Sequence, residues 1–280
     1  MAADIPLTKN IPLDKSKYIL LILLLTICRL SSQNVADTIK KTAIDCSGLT
    51  VPNDKLYSAL KDFKCICIGE MHGTKEPAEF LVYLTKLFTD KKRKVIVGIE
   101  IPKGSMTKFI ERPDSIGLTE SGFFSNKGGD GRNSEAWFKA INECNKLKVQ
   151  FCFLDGYPDN YKYDNLMECY KADTNAVILT LTGNVHNKLL PYKDIKQMAC
   201  YLKDRFGNKV FSINHIYNGG TMYNLTSDGL KVHTSAPTNG IFSTSTNYSN
   251  YFLLNIFNTG RDYSAYYYTK VVTASLPFKK

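Results

Sequence analysis

Residues 65–80 read CICIGEMHGTKEPAEF, a stretch that joins two segments of different periodicity. Residues 64–69 are a short apolar run rich in isoleucine and cysteine, which predicts a buried β-strand. Residues 76–90 place apolar side chains at helical spacing, and Pro77 suits the first turn of a helix. A buried strand that leads into an amphipathic helix is the repeating unit of an α/β fold.

The same alternation continues on both sides of this stretch. Apolar runs predict four further strands, at 94–102, 149–155, 176–183 and 209–217. Helical spacing predicts further helices, at 54–62, 133–147, 161–172 and 192–206. Residues 103–132 read as a long, polar, glycine-rich connection. Near-continuous apolar strands between amphipathic helices indicate an α/β fold with a mainly parallel mixed sheet and helices on both faces.

The chain changes character after residue 218, where Gly, Asn, Ser, Thr and Tyr dominate. The segments TMYNL (221–225) and GLKVHT (229–234) predict a hairpin, and YYYTKVVTASLPF (266–278) predicts a last strand at the edge of the sheet. No linker interrupts the pattern. Residues 37–280 are therefore expected to form a single domain with a tyrosine-rich C-terminal region.

Residues 1–36 form a distinct N-terminal segment. Lys15 and Lys17 precede the apolar run YILLILLLTIC (18–28), which is too short to cross a bilayer core of roughly 30 Å. Its length suits the apolar region of a secretory signal, so we expect a secreted or cell-envelope protein. Retention as a membrane anchor and a hydrophobic N-terminal helix are the alternatives, and membrane contact is expected only through this segment.

The chain carries 36 basic and 26 acidic residues, a formal net charge of +10. There is no nucleic-acid motif and no basic stripe interleaved with aromatic residues, so the charge indicates a solvated basic surface rather than a nucleic-acid partner. It is compatible with an anionic small-molecule or peptide substrate. A homodimer is left open.

Eight cysteines are present. Cys65 and Cys67 alternate along one predicted strand and therefore share a face, which is typical of small core residues. Cys152 lies in another apolar strand and is interpreted in the same way. In an exported protein one disulfide could form among the remaining candidates, Cys46, Cys144, Cys169 and Cys200, with the pairing open.

Two predicted strands end in the same pattern of glycine, two residues and histidine. Gly69-Glu70-Met71-His72 follows the strand at 64–69, and Gly183-Asn184-Val185-His186 follows the strand at 176–183. Ligands of open α/β folds bind outside the carboxyl ends of the strands, so both imidazoles are expected at that rim. Histidine titrates near neutral pH and is a common metal ligand.

Three acidic residues are expected near these histidines. Glu100 ends the strand at 94–102, Asp155 closes the strand at 149–155, and Glu70 lies two residues before His72, where it can orient the imidazole. A surface position or a simple salt bridge is the alternative for Glu100.

Arg132 stands in GGDGRNSEAW (128–137), just before a predicted helix. Backbone N–H groups at a helix N-terminus favour anions, and arginine binds carboxylate or phosphate in a bidentate way, so Arg132 is a candidate anchor for an anionic substrate. The alternative is a solvated arginine paired with Asp130. His215 and His233 have no partner at fixed spacing and are interpreted as structural.

Paired GxxH motifs with a glutamate at the end of the next strand are similar to those of the Tiki and TraB proteins. The Gly-Glu-x-His form also resembles the ChaN haem-binding lipoproteins and, with one residue's difference in spacing, the erythromycin esterases. Together these make up the EreA/ChaN-like superfamily, and the resemblance covers residues 60–217.

The resemblance implies three different activities. Similarity to Tiki proteases implies a divalent metal (Zn, Mn or Co) held by His72, Glu100 and His186. Similarity to the esterases implies that His72 is a base and Glu70 its partner in hydrolysis. Similarity to ChaN implies haem binding in iron uptake without catalysis, for which Tyr263 and the tyrosines at 266–268 offer axial ligands.

The polar set favours a hydrolase of peptide or ester bonds. Glu70, His72, Glu100 and His186 are the predicted catalytic residues, and Arg132 and Asp155 the predicted substrate-binding residues. A haem- or iron-binding envelope protein is the alternative, as is a catalytically idle binding module on an enzyme fold. No Gly-x-Ser-x-Gly motif is present, so a serine nucleophile is not expected.

Overall fold

A computed structural model describes residues 34–50, 52–125, 129–154, 156–238, 242, 246–255 and 262–279. Most of the predicted N-terminal segment lies outside these residues. Residues 34–42 form a first helix, α1, which begins inside that segment. Within the described ranges no helix is long and apolar enough to cross a membrane.

An eight-stranded sheet forms the centre of the protein. Its strands are β1 (Ile44–Asp45), β2 (Cys65–Glu70), β3 (Val95–Ile99), β4 (Gln150–Phe153), β5 (Val177–Gly183), β6 (Val210–Tyr217), β9 (Asn250–Leu254) and β10 (Ala265–Thr269). Their order across the sheet is β1-β9-β10-β6-β2-β5-β3-β4. The six strands from β10 to β4 are parallel, and β9 runs antiparallel to both β10 and β1. The predicted mainly parallel mixed sheet is confirmed.

The remaining helices follow the predicted alternation closely, except at two places. They are α2 (Asp54–Leu60), α3 (Glu76–Asp90), α4 (Thr107–Glu111), α5 (Ser115–Glu120), α6 (Gly122–Ser125), α7 (Glu135–Lys146), α8 (Asn160–Ala172) and α9 (Met198–Phe206). The region 103–132 was predicted as a connection, but α4, α5 and α6 lie within it because one apolar side chain from each is buried in the core: Phe109, Leu118 and Phe124. The helix predicted at 192–206 begins only at Met198.

The two faces of the sheet carry separate apolar cores. Successive side chains of β2 point alternately into one core and the other. Ile66 and Ile68 point into the core that includes α3 and α7, whereas Cys65 and Cys67 point into the core formed with α8 and α9. All four side chains are fully buried. The interpretation of Cys65 and Cys67 as core residues of one face is confirmed.

The C-terminal region forms the predicted hairpin from β7 (Gly220–Thr226) and β8 (Gly229–Ser235). The last strand, however, was predicted at the edge, and β10 instead lies between β6 and β9. Its tyrosines explain the position, because Tyr267 is fully buried and stacks on Phe80 of α3 with ring centroids 4.1 Å apart. The edge positions belong to β1 and β4.

A disulfide joins Cys152 of β4 to Cys169 of α8. This corrects the interpretation of Cys152 as a simple core residue. Cys169 lies close enough to Cys152 because α8 packs directly on β4 after a short connection. The spacing of the cysteines in the sequence did not show this proximity. Cys46, Cys144 and Cys200 are buried free thiols.

Candidate active site

Three neighbouring strands bring the predicted residues to one rim of the sheet. Glu70 is the last residue of β2 and lies in register with Gly183, the last residue of β5. Glu100 directly follows β3, which pairs with the other side of β5. Because the three strands are parallel, their carboxyl ends meet, and the two GxxH segments face each other there.

His72 is held by a relay of buried partners. Its Nδ1 lies 2.6 Å from Glu70 Oε1, and the other carboxylate oxygen of Glu70 accepts a hydrogen bond of 3.2 Å from the indole N–H of Trp137. The Glu70 side chain is fully buried. Trp137 belongs to α7 and is the only tryptophan of the chain. This relay of Trp137, Glu70 and His72 fixes the orientation of the imidazole ring and leaves its Nε2 atom to act as a base.

The pKa of His72 is raised above its ordinary value of 6.5. Burial lowers this pKa, but the charge and the hydrogen bond of Glu70 outweigh the burial. The carboxylate of Glu70 thus strengthens His72 as a base that can take a proton from water.

His186 lies on a 3-10 turn, Asn184–Asn187, between two carboxylates. Its Nδ1 is 2.8 Å from Asp159 Oδ2, and its Nε2 is 3.3 Å from Glu100 Oε1. Burial lowers the pKa of His186, but the hydrogen bonds of Asp159 and Glu100 raise it to about 9. At neutral pH His186 is therefore an imidazolium ion.

Gly183 separates the two imidazoles. A Cβ atom at this position would lie 3.5 Å from His72 Cε1 and 3.5 Å from His186 Cδ2. The glycine of the second GxxH segment thus lies between the two imidazole rings. Its backbone N–H donates to Glu100 Oε2 over 2.9 Å, which also fixes that carboxylate.

Gly69, the glycine of the first GxxH segment, leaves space for a neighbouring side chain. The carboxamide of Asn184 occupies the space where a side chain of Gly69 would stand. Its Oδ1 accepts from the N–H of His215 over 3.2 Å, so Asn184 bridges to β6 beyond the last β2–β6 pair. Gly69 therefore makes room for the residue that anchors the turn bearing His186.

Arg132 reaches the same rim from the loop before α7. Its Nη1 donates to the backbone oxygen of Glu100 over 2.7 Å and lies 3.4 Å from Glu100 Oε1. Its Nε and Nη2 bind the carboxylate of Asp130 at 2.9 and 2.6 Å. In the structure the guanidinium group of Arg132 thus binds the carboxylate of Asp130, where the sequence predicted an anionic substrate. The alternative pairing with Asp130 is present, but the arginine side chain is only 19% exposed.

Three residues of this site were not predicted from the sequence: Trp137, Asp159 and Lys162. Lys162 is buried and lies 3.3 Å from Asp159 Oδ1 and 3.8 Å from Glu100 Oε1. Asp159 also accepts a hydrogen bond of 2.9 Å from the N–H of Met198, at the start of α9. The available signals were the single tryptophan and the Asp-Lys spacing at the start of α8.

The charges of the cluster explain the direction of these pKa changes. Four carboxylates face three cations, the carboxylates of Glu70, Glu100, Asp130 and Asp159 against Arg132, Lys162 and His186. Protonation of His72 would make the balance neutral. Burial raises the pKa of Glu100, but the hydrogen bond and charge of His186 and the charge of Arg132 hold it well below its usual range.

The predicted metal set of His72, Glu100 and His186 does not fit a divalent ion. The Oε1 atom of Glu100 lies within 4 Å of Arg132, Lys162 and His186, and its Oε2 accepts from Gly183. These cations neutralise the carboxylate and would repel a metal ion. In the part of the chain that the structure describes, no group of three His, Cys, Asp or Glu residues is placed to hold a metal.

Of the other predicted residues, Asp155 is outside the described residues. His215 is buried in β6, where burial lowers its pKa to about 3. His233 lies on the β7–β8 hairpin. Three of the tyrosines predicted as haem ligands already pack in the protein or bind within it. Tyr267 and Tyr268 are buried, and the hydroxyl group of Tyr263 donates to the backbone oxygen of Asn184.

Comparisons with solved structures place this architecture among known folds. A succinoglycan biosynthesis protein matches 88% of this chain and 99% of its own, with 11% identity and a TM-score of 0.67. A Bacillus cereus protein matches 89% of this chain and 99% of its own, with 9% identity and a TM-score of 0.65. A mutant erythromycin esterase in its open conformation matches 84% of this chain and 98% of its own, with 9% identity and a TM-score of 0.53.

The chain therefore shares its fold with these proteins, an erythromycin esterase among them, and the fold expected from the resemblance is confirmed. The sequence itself matches no protein-family model and none of the curated proteins. Fold similarity at this low identity does not transfer an activity, so function has to be argued from the site.

Proposed function

We propose that the chain is a hydrolase that cleaves ester bonds without a metal ion. The observation that carries the proposal is the Trp137–Glu70–His72 relay, which leaves Nε2 of one imidazole opposite the imidazolium of His186 across Gly183. A general base and a positive charge are the two groups that addition of water to a carbonyl needs.

The reaction follows from these positions. Nε2 of neutral His72 takes a proton from water while the water oxygen bonds to the carbonyl carbon of the ester. The negative charge that develops on the carbonyl oxygen is stabilised by the imidazolium of His186. The intermediate then breaks its bond to the alkoxy oxygen, and His72 returns its proton to that oxygen. Acid and alcohol leave, and the site is restored.

Esters are favoured over peptides because of the chemistry of the carbonyl. The amide bond is stabilised by resonance and needs strong polarisation before water can attack. Both ring nitrogens of His186 already face carboxylates, Asp159 and Glu100, so the polarisation that His186 can add to a carbonyl group is modest. An ester needs less activation.

Hydrolysis of p-nitrophenyl acetate tests the proposal. Replacing His72→Gln should lower kcat by at least 100-fold, in line with the usual contribution of a general base of about 10²–10⁴. His233→Gln, at a histidine that forms hydrogen bonds within the β7–β8 hairpin, is the matched control and should retain turnover. Dialysis against a chelator should leave the rate unchanged. Turnover retained in His72→Gln, or lost with the chelator, would contradict the proposal.

Export stays a proposal that rests on two features. The apolar segment at 18–28 suits a secretory signal. The Cys152–Cys169 disulfide is of a kind that persists in oxidising compartments. Haem binding stays a prediction from the resemblance alone.

A further inference from the structure

A cavity of about 480 Å³ opens beside Arg132. Its lining combines the Arg132–Asp130 ion pair and the polar side chains of Ser105 and Asn133 with apolar side chains from three places in the fold: Pro102 after β3, Phe123 of α6 and Leu225 of β7. Arg132 also contacts the carboxylate of Glu100. The cavity and the candidate active site therefore share a wall.

The β7–β8 hairpin is fixed against this wall through its backbone. The N–H of Tyr223 donates to the carbonyl of Gly73 over 3.0 Å. A side chain at either Gly73 or Gly131 would collide with the carbonyl of Tyr223, and both glycines have positive φ angles, 83° and 96°. Gly73 follows His72 and Gly131 precedes Arg132, so the hairpin is set in place relative to both residues.

The hairpin presents an apolar side chain to the cavity. Leu225 lies two residues after Tyr223, on the same face of β7, and is 57% exposed. Leu225 lines the cavity together with Phe123 and Pro102, so three apolar side chains converge on one concave surface beside a few polar groups, as in many small-molecule sites. The charged groups among the described lining residues are Arg132 and Asp130, which neutralise each other.

We propose that this cavity is a subsite for an uncharged, apolar group attached to the scissile ester, with Leu225 and Phe123 as the residues that set chain-length specificity. The proposal rests on the hydrolase function proposed above. It replaces the anionic substrate expected from Arg132 with a neutral and apolar one, because Asp130 already occupies the guanidinium fork.

The experiment measures kcat/KM along two ester series. One consists of p-nitrophenyl esters with acyl chains of increasing length, and the other of acetate esters of primary alcohols of increasing length. In at least one series kcat/KM should rise about two- to fourfold per added methylene while the chain remains within the cavity. Leu225→Asp should abolish this rise, and Phe123→Ala should reduce it.

Val232→Asp is the matched control, since Val232 is an exposed residue of the same hairpin that does not line the cavity. It should keep the chain-length dependence of the wild type. A wild-type protein without chain-length dependence in both series, or a Leu225→Asp protein that retains it, would overturn the subsite.

Binding separates failure of the subsite from failure of the hydrolase. If no ester is hydrolysed, the proposed function is wrong, and N-alkylacetamides are then titrated by calorimetry as neutral, stable analogues. Affinity that rises with alkyl length in the wild type and in Val232→Asp, but not in Leu225→Asp, supports the subsite without catalysis. Affinity independent of alkyl length overturns it.

Discussion

At the scale of single residues, the unusual feature of the site is that each imidazole has its own carboxylate partner. Glu70 binds Nδ1 of His72, and Asp159 binds Nδ1 of His186. The two rings nevertheless differ in their surroundings, because His186 has a second carboxylate, Glu100, at its Nε2. One histidine is therefore suited to accept a proton and the other to remain protonated.

Glu70→Gln should remove the charge of the relay and one of its two hydrogen bonds. The amide oxygen can still accept from the imidazole, but the amide NH₂ cannot accept from Trp137, and the negative charge that raises the pKa of His72 is gone. We expect kcat to fall about 10- to 100-fold and the acidic limb of the pH profile to move to lower pH. The fluorescence of the single tryptophan, Trp137, titrated in both proteins, measures the same pKa without turnover. An unmoved limb would exclude Glu70 from the relay.

The two histidines predict a bell-shaped dependence of kcat/KM on pH. His72 acts only when neutral, so activity rises as pH passes its raised pKa, and His186 acts only when protonated, so activity falls near pH 9. His186→Gln should lower the maximum and remove the basic limb. A basic limb that persists in His186→Gln would assign it to another group.

At the scale of elements, the two glycines of the GxxH segments are coupled through Asn184. Gly69→Ala would place a methyl group against the Asn184 carboxamide and 3.0 Å from the carbonyl of Ile213. We expect a loss of about 1–3 kcal/mol in the free energy of unfolding, as for other overpacked core positions, together with lower activity.

Asn184→Ala combined with Gly69→Ala provides the control for this prediction. Removing the carboxamide frees the space that the methyl group needs, so the double variant should be more stable than the sum of the two single effects predicts. Urea unfolding of the four proteins measures the coupling. Strict additivity would show that the two residues do not compete for this space.

The sequence predicted the elements well because strand and helix periodicity are local properties. It predicted the rim because the carboxyl ends of parallel strands meet wherever the fold is α/β. It missed Asp159 and Lys162, which join the site only when α8 packs beside β4 and β3, and no local pattern encodes that contact. It also placed β10 at an edge, because the burial of Tyr267 depends on Phe80 of a distant helix.

At the scale of the whole molecule, the buried charges couple stability to pH. His186 has a folded pKa of about 9 against an ordinary value of 6.5, so its contribution is fully present below pH 6.5 and is lost as pH rises through 9. We expect the free energy of unfolding to fall by on the order of 1–3 kcal/mol between pH 6 and pH 9.5. Urea unfolding at the two pH values measures it.

His186→Gln provides the comparison, since it should show a smaller loss over the same interval. The carboxylates act in the opposite direction, because the lowered pKa values of Glu100 and Asp159 make their contribution disappear as pH falls below their ordinary range. Equal losses in the wild type and in His186→Gln would show that the imidazolium does not contribute to stability.

The interior position of β10 has a consequence for how the protein is made. The strand supplies hydrogen-bond partners to both β6 and β9, and β9 in turn holds β1 from near the start of the described chain. Until residues 265–269 have left the ribosome, β6 has an open edge and β1 and β9 have no place in the sheet. Synthesis from the N-terminus therefore cannot complete this sheet strand by strand, and the final assembly waits until residues 265–269 have been made.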